Sequence, residues 1–225
     1  MIRTWVSEIL NLVFPETCTV CNNSLLYSEK ILCTSCLLDI PRVYFHNQER
    51  NPLEDLLWGR VHYEKASSLF HYSKDSKYSS LLYSVKYHNR DDVGVFLGEL
   101  LAVELQSSGF FDGIDCIVPV PLHKKRMRKR GYNQSQKIAE GMAKICGLPV
   151  ETNYISRTKN NETQTRKNKE EREENVQNIF ATNSSISGKH VLLVDDVITT
   201  GSTIISCAEE ILKDNKVSIV SIGFA

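Results

Sequence analysis

Two adjacent acids and a group of hydroxyl residues follow a short apolar segment near the C-terminal end of the chain. The segment, His190–Val194, is continuously apolar after its first residue, as expected of a strand buried on both faces of a parallel sheet. Asp195 and Asp196 interrupt that pattern. Because ligands of open α/β sheets bind at the carboxyl ends of the strands, paired carboxylates there can accept hydrogen bonds from vicinal hydroxyls or help to hold a divalent cation.

The residues after the acids are suited to an anion. Gly201 permits the turn and the close approach that a bound group needs. An amphipathic helical pattern begins at about Thr203, so the hydroxyls precede a helix N-terminus, where backbone N–H groups favour negative charge. Acids on one side and an anion cradle on the other suit a sugar phosphate, although a plain βα turn with an Asp cap is the alternative. The hydroxyl residues are Thr199, Thr200, Ser202 and Thr203.

The stretch Val191–Thr203 resembles the 5-phosphoribosyl-1-diphosphate (PRPP) signature of type I phosphoribosyltransferases. The resemblance implies that Asp195 and Asp196 hold the ribose 2- and 3-hydroxyls and that Thr199 to Thr203 hold the 5-phosphate. It also implies the type I phosphoribosyltransferase fold, an α/β fold in which helices flank an open, mostly parallel sheet.

A basic run is the strongest local concentration of positive charge. Lys+Arg and Asp+Glu both total 27, so the chain has no net charge and any basic function must be local. Six of the seven residues from Lys124 to Arg130 are basic. They follow a predicted buried strand, Asp115–Val120, at a point where a ligand loop is expected. Arginine supplies forked donors that match the oxygens of a diphosphate.

The same run is typical of a solvated face or of a patch that binds nucleic acid through its phosphates. In the nucleic-acid interpretation, a tyrosine just after the run supplies a ring for base stacking. A phosphate-binding role and a DNA-binding role are compatible. The residues predicted to contact DNA are Lys124, Lys125, Lys129 and Tyr132.

Two CxxC pairs, Cys18/Cys21 and Cys33/Cys36, indicate a metal site near the N-terminus. Each pair can donate two thiolates from a tight turn, and a closed shell of four sulfurs suits a structural zinc ion with no open position for catalysis. An iron–sulfur cluster, a disulfide pair and reduced thiols are the alternatives. A metal here would stabilise a segment that is too small to hold a core by itself.

At 225 residues the chain can bury a full core and has room for one α/β domain and a small additional one. We place the boundary near Gly59, which gives an N-terminal unit of residues 1–60, with a helix, the four cysteines and a connector, and a second unit of residues 61–225. Polar residues interrupt the apolar face of 2–14, so neither a signal peptide nor a transmembrane span is expected, and the predicted compartment is the cytoplasm.

The rest of the pattern alternates strands and helices. Residues 41–60 are expected to pack back as a connector through Leu53, Leu56, Leu57 and Trp58. A polar segment at 158–175 is expected to be mobile and to close over a ligand as a lid, although a solvated excursion has the same composition. Lys86, between two helices, could reach a phosphate. The predicted helices are Tyr78–Tyr87, Asp91–Gln106 and Asn133–Cys146, and the predicted strands are Ser67–Tyr72, Tyr154–Arg157 and Lys216–Ala225.

The whole chain resembles the ComF family, which are double-zinc-knuckle proteins with a phosphoribosyltransferase domain, associated with competence for DNA uptake. The resemblance implies structural zinc, and Mg²⁺ bound with PRPP. It rests on the two cysteine pairs and on Val85–Tyr87, Ile117–His123, Arg126–Gln134, Arg157, Thr163, Gln164, Arg172, Asn175 and Val194–Thr203.

The same resemblance implies roles for the two halves of the site. Pro119–His123, which contains Val120, Pro121 and Leu122, would be the diphosphate loop. Arg126, Arg130 and the 158–175 segment would flank the transferred group, so that the two arginines join the acid pair as catalytic residues. Type I enzymes that use 6-oxopurines carry an acid where Thr199 stands, so hypoxanthine and guanine are not the expected acceptors.

Two functional hypotheses follow. The first is a Mg-dependent, PRPP-binding phosphoribosyltransferase that acts in natural transformation on an unknown nucleobase or other acceptor. The second is a non-enzymatic factor that handles incoming single-stranded DNA, with PRPP as a regulatory ligand and other competence proteins as partners. A transcription regulator is a third interpretation, but no helix-turn-helix pattern is evident.

Overall fold

The computed structural model describes residues 15–158, 179–183 and 186–225. The predicted helix at 2–14 and nearly all of the predicted lid at 158–175 lie outside these ranges. The helices are α1 (Thr34–Leu38), α2 (Pro52–Leu57), α3 (Ser79–Tyr87), α4 (Asp91–Gln106), α5 (Lys124–Arg130), α6 (Gln134–Cys146) and α7 (Ser202–Ile211), with a 3-10 turn at Phe45–Asn47. The strands are β1 (Ala66–His71), β2 (Cys116–Pro119), β3 (Ile155–Arg157), β4 (Phe180–Thr182), β5 (His190–Ile198) and β6 (Lys216–Phe224).

The main sheet has four strands in the order β1-β6-β5-β2, and all of its described pairings are parallel. Strands β3 and β4 form a separate antiparallel pair. Val191 to Val194 are fully buried, as expected for a strand covered on both faces. The predicted α/β fold with a mostly parallel sheet is therefore confirmed.

The register between β2 and β5 brings two predicted ligand segments together. Pro119 lies opposite Val194, and the backbone N–H of Val120 donates to the Val194 carbonyl at 2.9 Å. The chain therefore leaves β2 beside the position at which Asp195 follows on β5. Parallel register alone thus places the predicted diphosphate loop next to the acid pair.

Helices α4 and α6 touch backbone to backbone. A Cβ atom built on Gly98 would lie 2.0 Å from the Ile138 carbonyl oxygen, and one on Gly141 would lie 2.0 Å from the Val95 carbonyl oxygen. Only glycine permits this approach. The contact holds the N-terminus of α6 close to the carboxyl ends of β2 and β5.

The four-cysteine segment packs on the same apolar cluster as the helices that cover one face of the sheet. Ile31, Leu32 and Ile40 belong to that cluster, and the Tyr78 hydroxyl donates to the Cys36 carbonyl at 3.0 Å. The division into units of 1–60 and 61–225 stays a prediction. In the part of the chain that the structure describes, no helix is long and apolar enough to cross a membrane.

The connector packs against the rest of the protein through one face of α2, as expected, but not through Trp58. Leu53 and Leu57 are fully buried, whereas Trp58 is 73% exposed, so the prediction that Trp58 packs inward is wrong. Helix α2 ends at Leu57, and Trp58 has left helical geometry with ψ of 129°. The side chain lies instead beside the Arg50 guanidinium carbon, which is 5.9 Å from its ring centroid.

Candidate functional site

The acid pair lies inside strand β5 rather than after it. The sequence pattern predicts that the strand stops at Val194, but β5 continues through both acids to Ile198 because β6 pairs with it along that length. Asp195 Oδ1 accepts hydrogen bonds from Ser135 Oγ at 3.0 Å and from the Asp196 N–H at 2.8 Å. The strand therefore holds the two carboxylates at a fixed separation along one backbone.

A lysine from α3 completes the immediate surroundings of the acids. Lys86 Nζ lies 2.9 Å from Asp196 Oδ2, and both side chains are largely buried. The sequence predicts that Lys86 could reach a phosphate; in this structure it binds the second acid of the pair. One ammonium thus partly balances two carboxylates at the base of the cleft.

Burial raises the pKa of Asp195 to about 7. The adjacent Asp196 carboxylate acts in the same direction, whereas the hydrogen bonds from Asp196 N–H and Ser135 and the charge of Lys86 lower the pKa. The protonated form of Asp195 therefore persists to much higher pH than that of an ordinary carboxyl group. A ligand that brings hydroxyl donors or a cation would favour the ionised form.

This raised pKa predicts the pH dependence of stability in metal-free buffer. The folded state holds the Asp195 proton more tightly than the unfolded state, so ionisation of Asp195 destabilises the fold as pH rises from about 4 to about 7. We expect Asp195→Asn to gain stability relative to the wild type between pH 5 and pH 8, by on the order of 2 kcal/mol. Thermal melts at both pH values, with the exposed Asp75→Asn as control, measure the gain. An equal difference at both pH values would contradict the raised pKa.

The hydroxyl loop joins β5 to the N-terminus of α7. Gly201 adopts φ of +76°, a left-handed conformation that glycine accepts without strain. Thr200 Oγ1 and Ser202 Oγ lie 3.1 Å apart, and both hydroxyls line a small open depression of about 40 Å³ together with Thr199, Gly201 and Thr203. The loop thus presents hydroxyl donors at a helix N-terminus, and its role as an anion cradle stays a prediction.

The basic run forms a helix, so the predicted loop at this position is wrong. His123 begins α5 by accepting a hydrogen bond from the Lys125 N–H at its Nδ1, and Gly131 ends it at φ of +82°. These two residues cap the N-terminal and C-terminal ends of α5, so the segment between them forms two helical turns and not the expected loop. Lys124, Lys125 and Lys129 are exposed on it.

Two arginines of α5 belong to the lining of the cleft that contains the acids. Arg126 and Arg130 line the same cleft as Asp195 and Asp196, and so do the predicted diphosphate-loop residues Val120, Pro121 and Leu122. Arg130 also lies over the Tyr87 ring, with its guanidinium carbon 5.6 Å from the centroid. The predicted halves of the site therefore meet.

The first residues of α6 connect those halves, and the sequence does not single them out. Asn133 Nδ2 donates to the Val120 carbonyl at 2.9 Å, and its Oδ1 accepts from the Ser135 N–H as the helix cap. Ser135 in turn donates to Asp195. An Asn before a predicted helix is the available sequence signal for such a cap.

Two buried donors in the cleft have no hydrogen-bond partner among the described residues. They are Nε2 of Gln134, a residue that is 2% exposed, and Nε of Arg157 from β3. Burial, and then the neighbouring Arg126, lower the pKa of Arg157. Unpaired buried donors are costly, so both groups fit an acceptor-rich ligand in the cleft.

The cleft has a volume of about 250 Å³. Its floor is acidic, one wall is basic, and Thr203 connects it to the hydroxyl loop. A second, wider cleft of about 670 Å³ continues outward over α5, where Arg128, Lys129 and Tyr132 join its lining. Chemically, the inner cleft can hold a polyhydroxylated group between two anionic ends.

The four cysteines form a second site. Cys18, Cys21, Cys33 and Cys36 place their sulfur atoms within 4.8 Å of one another. Cys21 Sγ and Cys33 Sγ are 3.7 Å apart, close to the roughly 3.8 Å edge of a tetrahedron with Zn–S bonds of about 2.3 Å. The arrangement therefore fits a four-coordinate structural metal ion such as zinc.

The backbone around the cysteines is fixed by its own hydrogen bonds. The Glu29 carboxylate accepts from the backbone N–H of Leu26 at 2.8 Å and of Thr34 at 2.6 Å, which ties the segment between the cysteine pairs to the second pair. Burial opposes ionisation of Cys18, but backbone hydrogen bonds at Cys33, Cys21 and Val20 outweigh it and lower its pKa to about 6. These hydrogen bonds thus favour the thiolate form of Cys18, which is the form that binds a metal ion.

Comparisons with known proteins match this chain to a phosphoribosyl transferase domain and to proteins of DNA utilization and competence. The family model for the phosphoribosyl transferase domain matches residues 128–225, which include the acid pair and the hydroxyl loop. The chain is 26% identical over 205 residues to the DNA utilization protein YhgH of Escherichia coli K12, a match that covers 90% of this chain and 86% of that protein.

Two competence proteins also match. Competence protein F of Haemophilus influenzae is 26% identical over 204 residues, with 85% of this chain and 88% of that protein covered. Competence protein ComFC of Bacillus subtilis is 37% identical over 105 residues, with 47% and 41% covered. With its four-cysteine cluster and its C-terminal match to the phosphoribosyl transferase domain, the chain is similar to DNA utilization protein YhgH and to the competence proteins F and ComFC, in line with the resemblance to the ComF family.

Proposed function

We propose that the protein binds PRPP together with Mg²⁺ in the inner cleft and transfers its phosphoribosyl group to an acceptor. The observation that carries the proposal is the adjacency of three groups: the acid pair and the arginines of α5 line one cleft, and Thr203 joins that cleft to the depression lined by the hydroxyl loop. PRPP has a matching chemistry, since it carries two ribose hydroxyls between a 5-phosphate and a diphosphate. The match of the phosphoribosyl transferase domain supports the same ligand.

Each segment has a role in this proposal. Asp195 and Asp196 accept hydrogen bonds from the ribose hydroxyls, and Thr199 to Thr203 surround the 5-phosphate. The segment Val120–His123 and the side chains of Arg126 and Arg130 face the diphosphate. The unpaired donors of Gln134 and Arg157 supply further hydrogen bonds to its oxygens.

The chain's residues would favour departure of the diphosphate. As the C1–O bond breaks, its electron pair stays on the diphosphate oxygen, and the fixed arginine charges stabilise the growing negative charge. The acceptor's lone pair forms the new bond to C1, and the acceptor loses its proton. Carboxylate oxygens are the ligands that Mg²⁺ prefers, and the ion would supply further charge neutralisation of the diphosphate.

Calorimetric titration with PRPP, with and without Mg²⁺, tests the binding half of the proposal. We expect saturable binding that is tighter with Mg²⁺. Diphosphate release across a panel of nucleobases tests transfer. Release with one acceptor establishes the enzyme, whereas binding without any release favours a regulatory ligand role for PRPP.

A second candidate function is binding of single-stranded DNA, and the wider outer cleft is the observation that favours it. Arg128 and Lys129 line that cleft but not the inner one, so their charges extend beyond the space available to PRPP. Tyr83 and Tyr87 are 55% and 58% exposed beside it, with ring centroids 4.7 Å apart. Tyr132, the predicted stacking residue, is partly buried, and its hydroxyl donates to the Val85 carbonyl.

The DNA-binding proposal predicts an effect of charge removal. Replacing Lys124, Lys125 and Lys129 together by Ala should weaken binding of an oligothymidylate about tenfold or more and flatten its salt dependence, because each lost phosphate contact removes released counterions. Fluorescence anisotropy at several salt concentrations measures both quantities. Replacement of the exposed Lys30 and Lys74, which lie outside this cleft, is the control. If the triple variant binds the oligothymidylate with unchanged affinity, α5 does not bind DNA and its charges serve PRPP alone.

A further inference from the structure

The connector reaches into the hydroxyl loop through one arginine. Arg60 Nη1 donates to the carbonyl oxygen of Thr200 at 3.0 Å and to that of Leu56 in α2 at 3.3 Å. The first bond spans 140 positions of the sequence. It therefore joins the N-terminal part of the chain to the predicted 5-phosphate site.

Helix α2, which ends three residues before Arg60, is firmly held. Asn51 caps it by accepting from the Glu54 N–H at 3.0 Å, and Asn51 Nδ2 donates to the Ala66 carbonyl of β1 at 3.2 Å. Leu53 and Leu57 are fully buried beneath it. Arg60 is thus attached to a support that does not depend on the loop.

The bond to Thr200 fixes the direction of the next N–H group. No cis peptide bond occurs among the described residues, and the C=O and N–H of a planar trans peptide unit point in opposite directions. When Arg60 holds the Thr200 carbonyl, the Gly201 N–H therefore points away from Arg60. Helix α2 also touches this peptide, because a Cβ on Gly201 would lie 3.2 Å from Leu56 Cδ2.

We propose that Arg60 is a positioning residue for the 5-phosphate. By holding the Thr200 carbonyl, it aims the Gly201 N–H into the anion cradle at the N-terminus of α7, where that N–H can donate to a phosphate oxygen. The inference rests on the proposed assignment of Thr199 to Thr203 to the 5-phosphate of PRPP. In this proposal the connector contributes to the ligand site by orienting a backbone N–H group of the hydroxyl loop.

Binding of three ligands, PRPP, ribose 5-phosphate and inorganic diphosphate, distinguishes a positioning role of Arg60 from a general effect of its charge. Arg60→Ala should weaken binding of PRPP and of ribose 5-phosphate by about five- to tenfold, whereas binding of inorganic diphosphate should not change. The loss should persist at 0.5 M NaCl, since a hydrogen bond that orients a peptide is not screened as a distant charge is. Arg50→Ala is the matched control, because the Arg50 side chain contacts Asp55 and Trp58 within the connector.

Amide hydrogen exchange of the loop gives a readout that needs no ligand. We expect the Gly201 amide to exchange faster in Arg60→Ala than in Arg50→Ala or the wild type, with Arg60→Lys intermediate. Equal exchange, or equal loss for diphosphate and ribose 5-phosphate, would overturn the positioning role while leaving PRPP binding intact. Failure of the wild type to bind PRPP or ribose 5-phosphate would overturn the phosphate assignment and this inference together.

Discussion

The Asp195→Asn/Asp196→Asn variant is expected to bind PRPP with Mg²⁺ at least a hundredfold more weakly than the wild type. Each substitution removes a charged acceptor for a ribose hydroxyl or a ligand of the ion, and hydrogen bonds to charged groups contribute about 1.5 to 3 kcal/mol each. Asparagine keeps the shape of the side chain, so β5 and its pairing with β6 should remain. Calorimetric titration measures the affinity.

The same variant separates loss of ligand contacts from unfolding. Because burial and the neighbouring acid raise the pKa of Asp195, the ligand-free variant should be at least as stable as the wild type at pH 8. A variant that binds weakly yet melts at an equal or higher temperature supports a direct role in binding. Undiminished affinity in the double variant would refute the assignment of the acid pair, and Asp75→Asn controls for the general loss of charge.

Loss of the metal is expected to have the largest effect on stability. The purified protein should contain about one zinc ion per chain, and Cys36→Ser or chelation should lower its melting temperature by about 10 °C or more, since a structural zinc contributes several kcal/mol to folding. Cys18 and Cys36 are buried against the main apolar cluster, so the damage should extend beyond the knuckles. Elemental analysis and thermal melts measure the two effects.

Cys146→Ser is the control for the metal site. Cys146 ends α6, is partly buried and does not belong to the four-cysteine cluster, so its replacement should keep both the metal and the melting temperature. If the elemental analysis finds iron, the four cysteines hold an iron–sulfur cluster and not zinc. A metal-free protein with disulfide-bonded cysteines, or an unchanged melting temperature after complete removal of the metal, would contradict a structural metal site.

Local patterns were sufficient to predict the elements that carry the site. The apolar run before Asp195 and the amphipathic stretch after Gly201 gave a strand and a helix close to the observed β5 and α7. The end of β5 could not be predicted, because its continuation to Ile198 depends on pairing with β6. The helix at Lys124–Arg130 cannot be predicted from the pattern either, because a run of cations has no apolar periodicity.

The residues that connect the two halves of the site required the three-dimensional structure. Ser135 reaches Asp195 because α6 is held against α4 and because β2 and β5 pair in one particular register. Arg60 contacts the loop across most of the chain. Such contacts depend on packing between distant segments, which the periodicity of a single sequence does not encode.

The close contact between α4 and α6 determines which side of the inner cleft can move. Side chains can change rotamers to let helices slide, but a contact made by the backbones at Gly98 and Gly141 offers no such freedom. We therefore expect the two helices to behave as one stationary wall that includes Ser135 and Asn133. Any opening that admits a ligand must then come from the opposite side, through α5 and the loop after β5.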